Sequence, residues 1–366
     1  MSVAINGTNG ITYNDGSLQP SAPVGRNLII NGDMAIDQRN AGASATSNAT
    51  IYMTDRFQFQ MSSVTNVQTY QQVTDAPAGF NNSLKITNNS TTQATAAGVL
   101  STPRQKIEGL NTAYLNWGTS DAQTVTISFW VKASVTGTYP VSLINNDFTR
   151  SFVTNYTVSV ANTWEKKTAT IAGDTSGTWT VDNSTGISVM FSLDTGSTYQ
   201  TTAGSWQTGN YRGTSSDVHF LANASATWQI TGLQLEASTT ATPFENLQYG
   251  QQLALCQRYY EQINTRGTGS ETLGVGIVQS STSARFYIKY SQVKRAEPTI
   301  SSTSDFTKFL TQSGSATNQP TGFSSGGGNL QSCYVFFTIS GHTVGQGIML
   351  LGRNTGVASL KIESEL

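Results

Sequence analysis

Residues 124–132 alternate between apolar and other side chains, and this alternation limits the possible folds more than any other feature of the chain. A period of two is that of a β-strand with one buried face. The apolar set is Val125, Ile127, Phe129 and Val131. Trp130 lies on the opposite face. Similar alternation returns near residues 187–193 and 333–339, with turn-forming residues between, so the sequence predicts an all-β protein.

The sequence divides into four segments of different character. Residues 1–25 are dense in Gly, Asn and Pro and predict an N-terminal docking arm without a core of its own. Residues 26–245 contain all six tryptophans and predict one large β domain. Apolar residues at helical spacing then predict a connector helix over residues 246–265, followed by a small C-terminal β domain over 266–366. Within that last domain, the Ser-Ser-Gly-Gly-Gly run at 324–328 predicts a flexible loop.

The charge content limits the partners. Lys and Arg number 20 against 21 Asp and Glu, and charged residues form 11% of the chain. Such a surface has no basic patch for phosphates, so no nucleic-acid partner is expected. Residues 1–25 lack the pattern of a secretory signal, and no apolar run approaches the ~20 residues of a membrane span, so neither export nor membrane insertion is expected. Cys256 and Cys333 are expected to be reduced and buried.

Catalytic chemistry is not expected. Glycoside cleavage needs two carboxylates held across one bond, and the acidic residues are scattered through turns and strand ends. The two histidines, His219 and His342, fall in different predicted domains, which disfavours a Ser-His-Asp arrangement or a His-rich metal site. We therefore expect a protein that is not an enzyme and has no catalytic residues.

Several short segments, in order and over some 220 residues, resemble the carbohydrate-binding-module-like jelly rolls of bacteriophage tail-fibre and other virion structural proteins. They are residues 27–34, 54–57, 105–109, 125–132, 164–165, 174–177 and 231–236. Residues 241–245 and 253–260 resemble the linker that follows such a jelly roll. The resemblance implies an all-β fold with a central jelly-roll β-sandwich, one connector helix and a smaller C-terminal β-sandwich domain.

The same resemblance implies a non-enzymatic virion protein assembled in the host cytoplasm. The first interpretation is a tail-fibre or receptor-binding subunit that adheres to a host-surface glycan. The alternative is a capsid decoration, such as a head fibre, or a tail-attached subunit that binds no ligand. Expected partners are further copies of the chain in a homotrimer and other virion proteins through the arm. No cofactor is expected beyond a structural calcium, for which Asn31, Asp33 and Glu236 supply oxygen ligands.

The candidate glycan site combines aromatic and amide side chains, because sugars stack on aromatic faces and bond to amides. Trp130 lies away from the apolar face of its strand. Gln68, Tyr70 and Gln72 share the face opposite Val67 and Val73. These four residues, Trp130, Tyr70, Gln68 and Gln72, form the predicted groove. The competing interpretation is that a loop or a neighbouring subunit covers them.

Overall fold

The structure is a computed structural model that describes residues 4–6, 10–12, 18–19, 25–89, 93–266, 271–314, 316–353 and 356–366. The chain divides into two compact units. The jelly-roll unit comprises residues 1–35, 42–52 and 57–247. The C-terminal unit comprises residues 248–366 together with two short segments, 36–41 and 53–56, from the first part of the chain. Both units are built from antiparallel sheets, as expected from the alternation.

The jelly-roll unit contains seventeen strands among the described residues. They are β1 (Ala4–Asn6), β2 (Gly10–Thr12), β3 (Leu18–Gln19), β4 (Ala45–Ser47), β5 (Ile51–Tyr52), β6 (Gln58–Ser62), β7 (Gln68–Val73), β8 (Ser83–Asn88), β9 (Leu100–Glu108), β10 (Val125–Ala133), β11 (Gly137–Asn145), β12 (Arg150–Val158), β13 (Glu165–Ile171), β14 (Thr185–Phe191), β15 (Asp194–Thr195), β16 (Trp206–Thr208) and β17 (Thr227–Glu236). A one-turn helix, α1 (Gly109–Thr112), follows β9. Three-residue 3₁₀ turns occur at Ala113–Leu115, Ser197–Tyr199 and Phe220–Ala222.

Two sheets pack face to face in this unit and form a β-sandwich. Sheet I has the order β13-β10-β17-β8-β7-β4, and sheet II has the order β16-β12-β11-β14-β9-β6-β5, with β15 beside β9. Phe129 of sheet I packs edge-to-face against Phe191 and Tyr156 of sheet II, both at 5.0 Å between ring centroids. The apolar face of β10 is therefore the core face, as the alternation predicts, and Trp130 lies on the outer face of sheet I.

A β-bulge interrupts the pairing of β10 with β17. The register shifts between Ser128 and Trp130, opposite Gly232. Gly232 has a φ of 60°, a left-handed conformation that glycine adopts without steric cost. The change of apolar parity along β17 thus reflects an extra residue in the strand.

The C-terminal unit contains two sheets around one core. Its strands are β18 (Tyr260–Asn264), β19 (Glu271–Ser280), β20 (Ser283–Lys289), β21 (Thr299–Ser302), β22 (Phe309–Ser313), β23 (Ala316–Asn318), β24 (Gly322–Gly328), β25 (Ser332–Thr338), β26 (Gly347–Gly352) and β27 (Ser359–Glu363), with a 3₁₀ turn at Phe306–Lys308. The orders are β18-β27-β21 and β23-β22-β26-β19-β20-β25-β24. Cys333 lies in the core and Cys256 is buried in the helix that opens the unit, and neither forms a disulfide, as expected.

The connector helix is shorter than residues 246–265. It spans Tyr249–Gln257 as α2, and a capping box between Gln248 and Gln251 closes its first turn. Tyr260 begins strand β18, which pairs with β27 along its whole length. The aromatic residues that continue the helical spacing are buried by this pairing, because strand contacts distant in sequence outweigh a short local period. No helix of the described residues has the length and apolarity to cross a membrane.

The glycine-rich run at 324–328 is a strand rather than a loop. It forms most of β24, an edge strand that pairs with β25. A Cβ at Gly326 would lie 2.8 Å from the Tyr334 carbonyl oxygen, so glycine permits the close approach of the two strands. The predicted docking arm falls largely outside the described residues, and its described pieces form the small sheet β1-β2-β3.

Candidate functional site

The predicted groove is divided between two faces of sheet I. Gln68 and Tyr70 are 0% and 3% exposed and lie on the core face of β7, where Tyr70 pairs with Ile86. Gln72 shares this face and donates to the Met34 carbonyl. Trp130 lies on the outer face. These side chains therefore do not form one groove, which corrects the sequence-based arrangement.

The error has a physical cause. Val67 precedes β7 and is 39% exposed, so it does not mark the core face of that strand. Tyr70 is the large apolar side chain within β7 and occupies the core. Gln68 is tolerated there because its amide accepts a hydrogen bond from Ser101 and contacts the Met61 sulfur. A buried amide with partners carries little penalty, and periodicity alone does not reveal such partners.

Aromatic rings surround Trp130 on the outer face of sheet I. A Cβ at Gly232 would lie 2.6 Å from Phe80 Cζ and 3.1 Å from Trp130 Cδ1, so both rings lie against this glycine. Phe80 packs edge-to-face on Phe244 at 5.1 Å. All three rings are half-buried. We call Phe80, Trp130, Phe244 and the nearby Trp164 the aromatic surface.

A polar network centred on Asp75 lies beside the aromatic surface and includes Trp164. This carboxylate accepts hydrogen bonds from Lys132 Nζ at 2.5 Å, and from Trp164 Nε1 and Gln229 Nε2 at 3.2 Å each. The Lys132 ammonium holds the pKa of Asp75 below its usual value. Lys132 also lies 5.8 Å from the Trp164 ring centroid, within cation–π range. The surface thus offers rings, an ammonium and a carboxylate acceptor that is ionised at neutral pH.

The predicted calcium ligands do not present a free ligand set. Glu236 accepts hydrogen bonds from the Thr242 backbone, the Thr242 hydroxyl and the Gln234 amide. Its carboxylate therefore fastens the chain after β17. Asn31 adopts a left-handed φ of 62° in the turn that contains Asp33. Within the described part of the chain, no three His, Cys, Asp or Glu side chains are grouped to hold a metal ion.

Neither histidine forms a catalytic arrangement. His219 Nδ1 lies 3.2 Å from Asp194 Oδ1 and 3.0 Å from Thr95 Oγ1. The carboxylate and the hydroxyl share one ring nitrogen, whereas a triad requires them on opposite nitrogens. His342 contacts Thr311 through Nε2.

A second aromatic cluster lies elsewhere in the jelly-roll unit. Trp117, Trp179 and Trp206 pack edge-to-face, with centroids 4.7 to 5.4 Å apart. Each indole N–H donates to a backbone carbonyl. The adjacent cavity has a volume of about 160 Å³. This is below the roughly 300–1,000 Å³ typical of ligand pockets, so we assign the cluster to packing.

Two buried arginines lie on the outer face of sheet II. Arg104 is 6% exposed and Arg212 is 2% exposed. Both donate through Nη1 to the same atom, Gln60 Oε1, at 2.6 Å each. Arg104 also donates to Gln58, and Arg212 to Asn210. We call Arg104 and Arg212 the arginine pair.

The sequence did not predict the arginine pair or the rings around Trp130. Arg104 and Arg212 are 108 positions apart along the chain, and nothing local connects them. Phe80 and Phe244 lie in irregular segments outside the alternating strands. The only local signal was Gly232, whose expected bulge brings the rings against the strand.

Comparison with known proteins does not assign the chain to a family. No family model matches it, and no curated protein matches it. Among solved structures, a putative sugar-binding protein from Bacteroides thetaiotaomicron is 14% identical over 58% of this chain and all of that chain, with a TM-score of 0.32. Tailspike protein 4 of bacteriophage CBA120 is 11% identical over 58% of this chain and 22% of that chain, with a TM-score of 0.30. The tandem CBM22 domains of Paenibacillus barcinonensis Xyn10C are 10% identical over 90% of this chain and all of that chain, with a TM-score of 0.27.

The alignment thus spans only 22% of the tailspike chain, which is its enzymatically active domain. Likeness at this level carries no argument about activity or partners.

Proposed function

We propose that the jelly-roll unit binds a glycan at the aromatic surface, and that the protein acts without catalysis as a virion adhesin of the tail-fibre type. The observation that carries this proposal is the half-buried Trp130, held beside Phe80 by Gly232, with Lys132 and Asp75 next to it. Rings of this kind pack on the apolar face of a sugar, while the charged groups bond its hydroxyls.

The polar groups favour binding over cleavage. Hydrolysis with a pair of carboxylates needs one protonated acid and one ionised group. Asp75 is the one carboxylate in the network described above, and Lys132 keeps it ionised. It acts as a hydrogen-bond acceptor and orients Trp164 and Gln229.

The test is glycan binding by Trp130→Ala. Host polysaccharides and a glycan array identify a ligand for the wild-type protein, and calorimetry then measures the affinity of the variant. We expect a loss of roughly tenfold or more, since ring packing contributes about 1.5 kcal/mol. Tyr114→Ala is the control, because Tyr114 is an exposed ring of the same unit outside the aromatic surface. Equal affinity of Trp130→Ala and the wild type would remove the aromatic surface as the site.

We further propose a homotrimer that joins the virion through the arm at residues 1–25. Sheet edges in long β-rich fibres are commonly covered by neighbouring copies. Native mass spectrometry tests the trimer, and a 39.1 kDa species alone at micromolar concentration would contradict it. Particles that carry a copy without residues 1–25 test the arm, and normal copy number there would contradict it. Stoichiometric occupancy on capsids without glycan binding would instead favour the capsid-decoration alternative.

A further inference from the structure

The arginine pair concentrates positive charge where the protein supplies no negative charge. Each Nη1 lies 2.6 Å from Gln60 Oε1, so the two nitrogens are within about 5 Å of each other. Among the described residues, no carboxylate forms an ion pair with either guanidinium, and the hydrogen-bond acceptors are neutral amide oxygens of Gln58, Gln60 and Asn210. Buried charges are normally paired or bind ions, so this arrangement is incomplete without an anion.

Burial also affects the protonation equilibrium of both groups. Desolvation lowers the pKa of Arg104 to about 10. Desolvation, together with repulsion from Arg104, lowers the pKa of Arg212 to about 10. Both groups therefore keep their charge at neutral pH. The charge is present and uncompensated under ordinary conditions.

The same sheet face has a further unsatisfied donor. Ser142 Oγ is buried without a hydrogen-bond partner. Ser142 pairs with Met190, and Met190 pairs with Arg104, so Ser142 and Arg104 project from the same face. Hydroxyl and guanidinium donors on one face suit an acceptor-rich ligand.

The surroundings of the pair are partly open. Gln58 and Gln60 are half-exposed. The rings of Phe148 and Tyr199 lie 5.4 and 5.6 Å from the Arg212 guanidinium carbon and are also half-exposed. The arginine pair is therefore covered by side chains that are themselves half-exposed.

We infer that Arg104 and Arg212 form a binding site for one oxyanion group, either the carboxylate of an acidic sugar or a free inorganic phosphate. The acidic sugar rests on the proposed glycan-binding function, and the phosphate does not. The site lies on sheet II, whereas the aromatic surface lies on sheet I, so each can fail without the other.

The deciding variant is Gln60→Glu. It keeps the shape and the acceptor oxygen of Gln60 and places a negative charge between the two arginines. We expect the thermal midpoint of the jelly-roll unit to rise by about 5 °C. Tryptophan fluorescence of the full chain follows this unit alone, because all six tryptophans lie within it. Gln207→Glu is the control, since Gln207 lies in the same sheet and its amide bonds Ser205.

The second measurement is the response to anions at constant ionic strength. Glucuronate or phosphate should raise the midpoint of the wild type and of Gln207→Glu above its value in chloride, with a saturable dependence on concentration. Gln60→Glu should show no such rise. A response to phosphate without one to glucuronate supports the site and assigns it to the free ion. An unchanged or lower midpoint for Gln60→Glu, or equal anion responses in Gln60→Glu and the wild type, would overturn the inference.

Discussion

Each unit of this protein contains a pair of neighbouring, largely buried arginines, and the two pairs are stabilised in opposite ways. In the C-terminal unit, Arg56 and Arg39 both bond the Glu365 carboxylate, and Arg39 also contacts Glu363. In the jelly-roll unit, Arg104 and Arg212 share an amide oxygen and have no carboxylate partner among the described residues. The four guanidinium groups are all largely buried, but only those of the C-terminal unit have a carboxylate counter-charge among the described residues.

The C-terminal arrangement is a structural clamp. Arg56 lies 3.5 Å from the Tyr259 ring centroid, and Arg39 lies 3.7 Å from that of Tyr260. Arg295 donates to the backbone carbonyls of Ser364 and Glu365. Segments 36–41 and 53–56 are thereby fixed to the last residues of the chain within one unit. A carboxylate counter-charge indicates a role in folding, whereas its absence among the described residues indicates a role in binding.

Removal of the clamp's central charge should have the largest effect. Glu365→Gln leaves two buried guanidinium groups short of a counter-charge, and we expect a loss of about 3–5 kcal/mol of unfolding free energy in the C-terminal unit. Urea unfolding followed by hydrogen exchange of residues 248–366 measures it. Glu363→Gln is the matched control, because the Glu363 side chain is 42% exposed and exposed pairs contribute at most about 1 kcal/mol. Equal losses for both variants would contradict the structural role assigned to Glu365.

The buried carboxyl beside the clamp should make the C-terminal unit sensitive to pH. Burial raises the pKa of Asp55 from 3.8 to about 7. A folded-state pKa above the unfolded value gives stability that is present below pH ~3.8 and lost as the pH rises through about 7. We expect this contribution to amount to about 4 kcal/mol at most. Asp55→Asn should therefore flatten the decline in unfolding free energy between pH 4.5 and 8, and an unchanged slope would contradict the assignment.

The arginine pair should respond to charge removal differently from the clamp. Arg212→Met removes an uncompensated buried charge and keeps an apolar stem of similar length. We expect the unfolding free energy of the jelly-roll unit, followed by tryptophan fluorescence without added oxyanion, to change by less than about 1 kcal/mol or to increase. A loss as large as that of Glu365→Gln would show that the amide oxygens alone compensate the charge, and the contrast between the two units would disappear.

The smallest effect is expected for an exposed ion pair. Lys132 and Asp75 form a salt bridge in which the Asp75 side chain is half-exposed. Lys132→Met should lower the unfolding free energy by roughly 0.2–1 kcal/mol, in the range of surface pairs, in the same fluorescence experiment. The same variant should weaken glycan binding at the aromatic surface. A stability loss above 2 kcal/mol would mean that this pair belongs with the buried ones.

The local sequence pattern was enough to predict features that depend on a single strand. The period of two in β10 placed Phe129 in the core and Trp130 outside, because successive side chains of a strand point to opposite faces. Along β17 the apolar residues change from one face of the strand to the other, and this change located the bulge at Gly232. An extra residue in the strand is the simplest cause of such a change. Composition determined the all-β class, because β-branched and aromatic residues separated by turn formers favour short paired strands.

Contacts between residues distant in the chain decided the rest. The face of β7 depends on Tyr70 packing and on the partners of the Gln68 amide. The Gly-rich run at 324–328 becomes strand β24 because β25 pairs with it. The arginine pair and the clamp each join residues that no local period connects, Arg104 with Arg212 and Arg56 with Glu365. Charge compensation is settled only when folding brings such groups together, and for that reason the tertiary structure alone showed which buried arginines lack a carboxylate partner among the described residues.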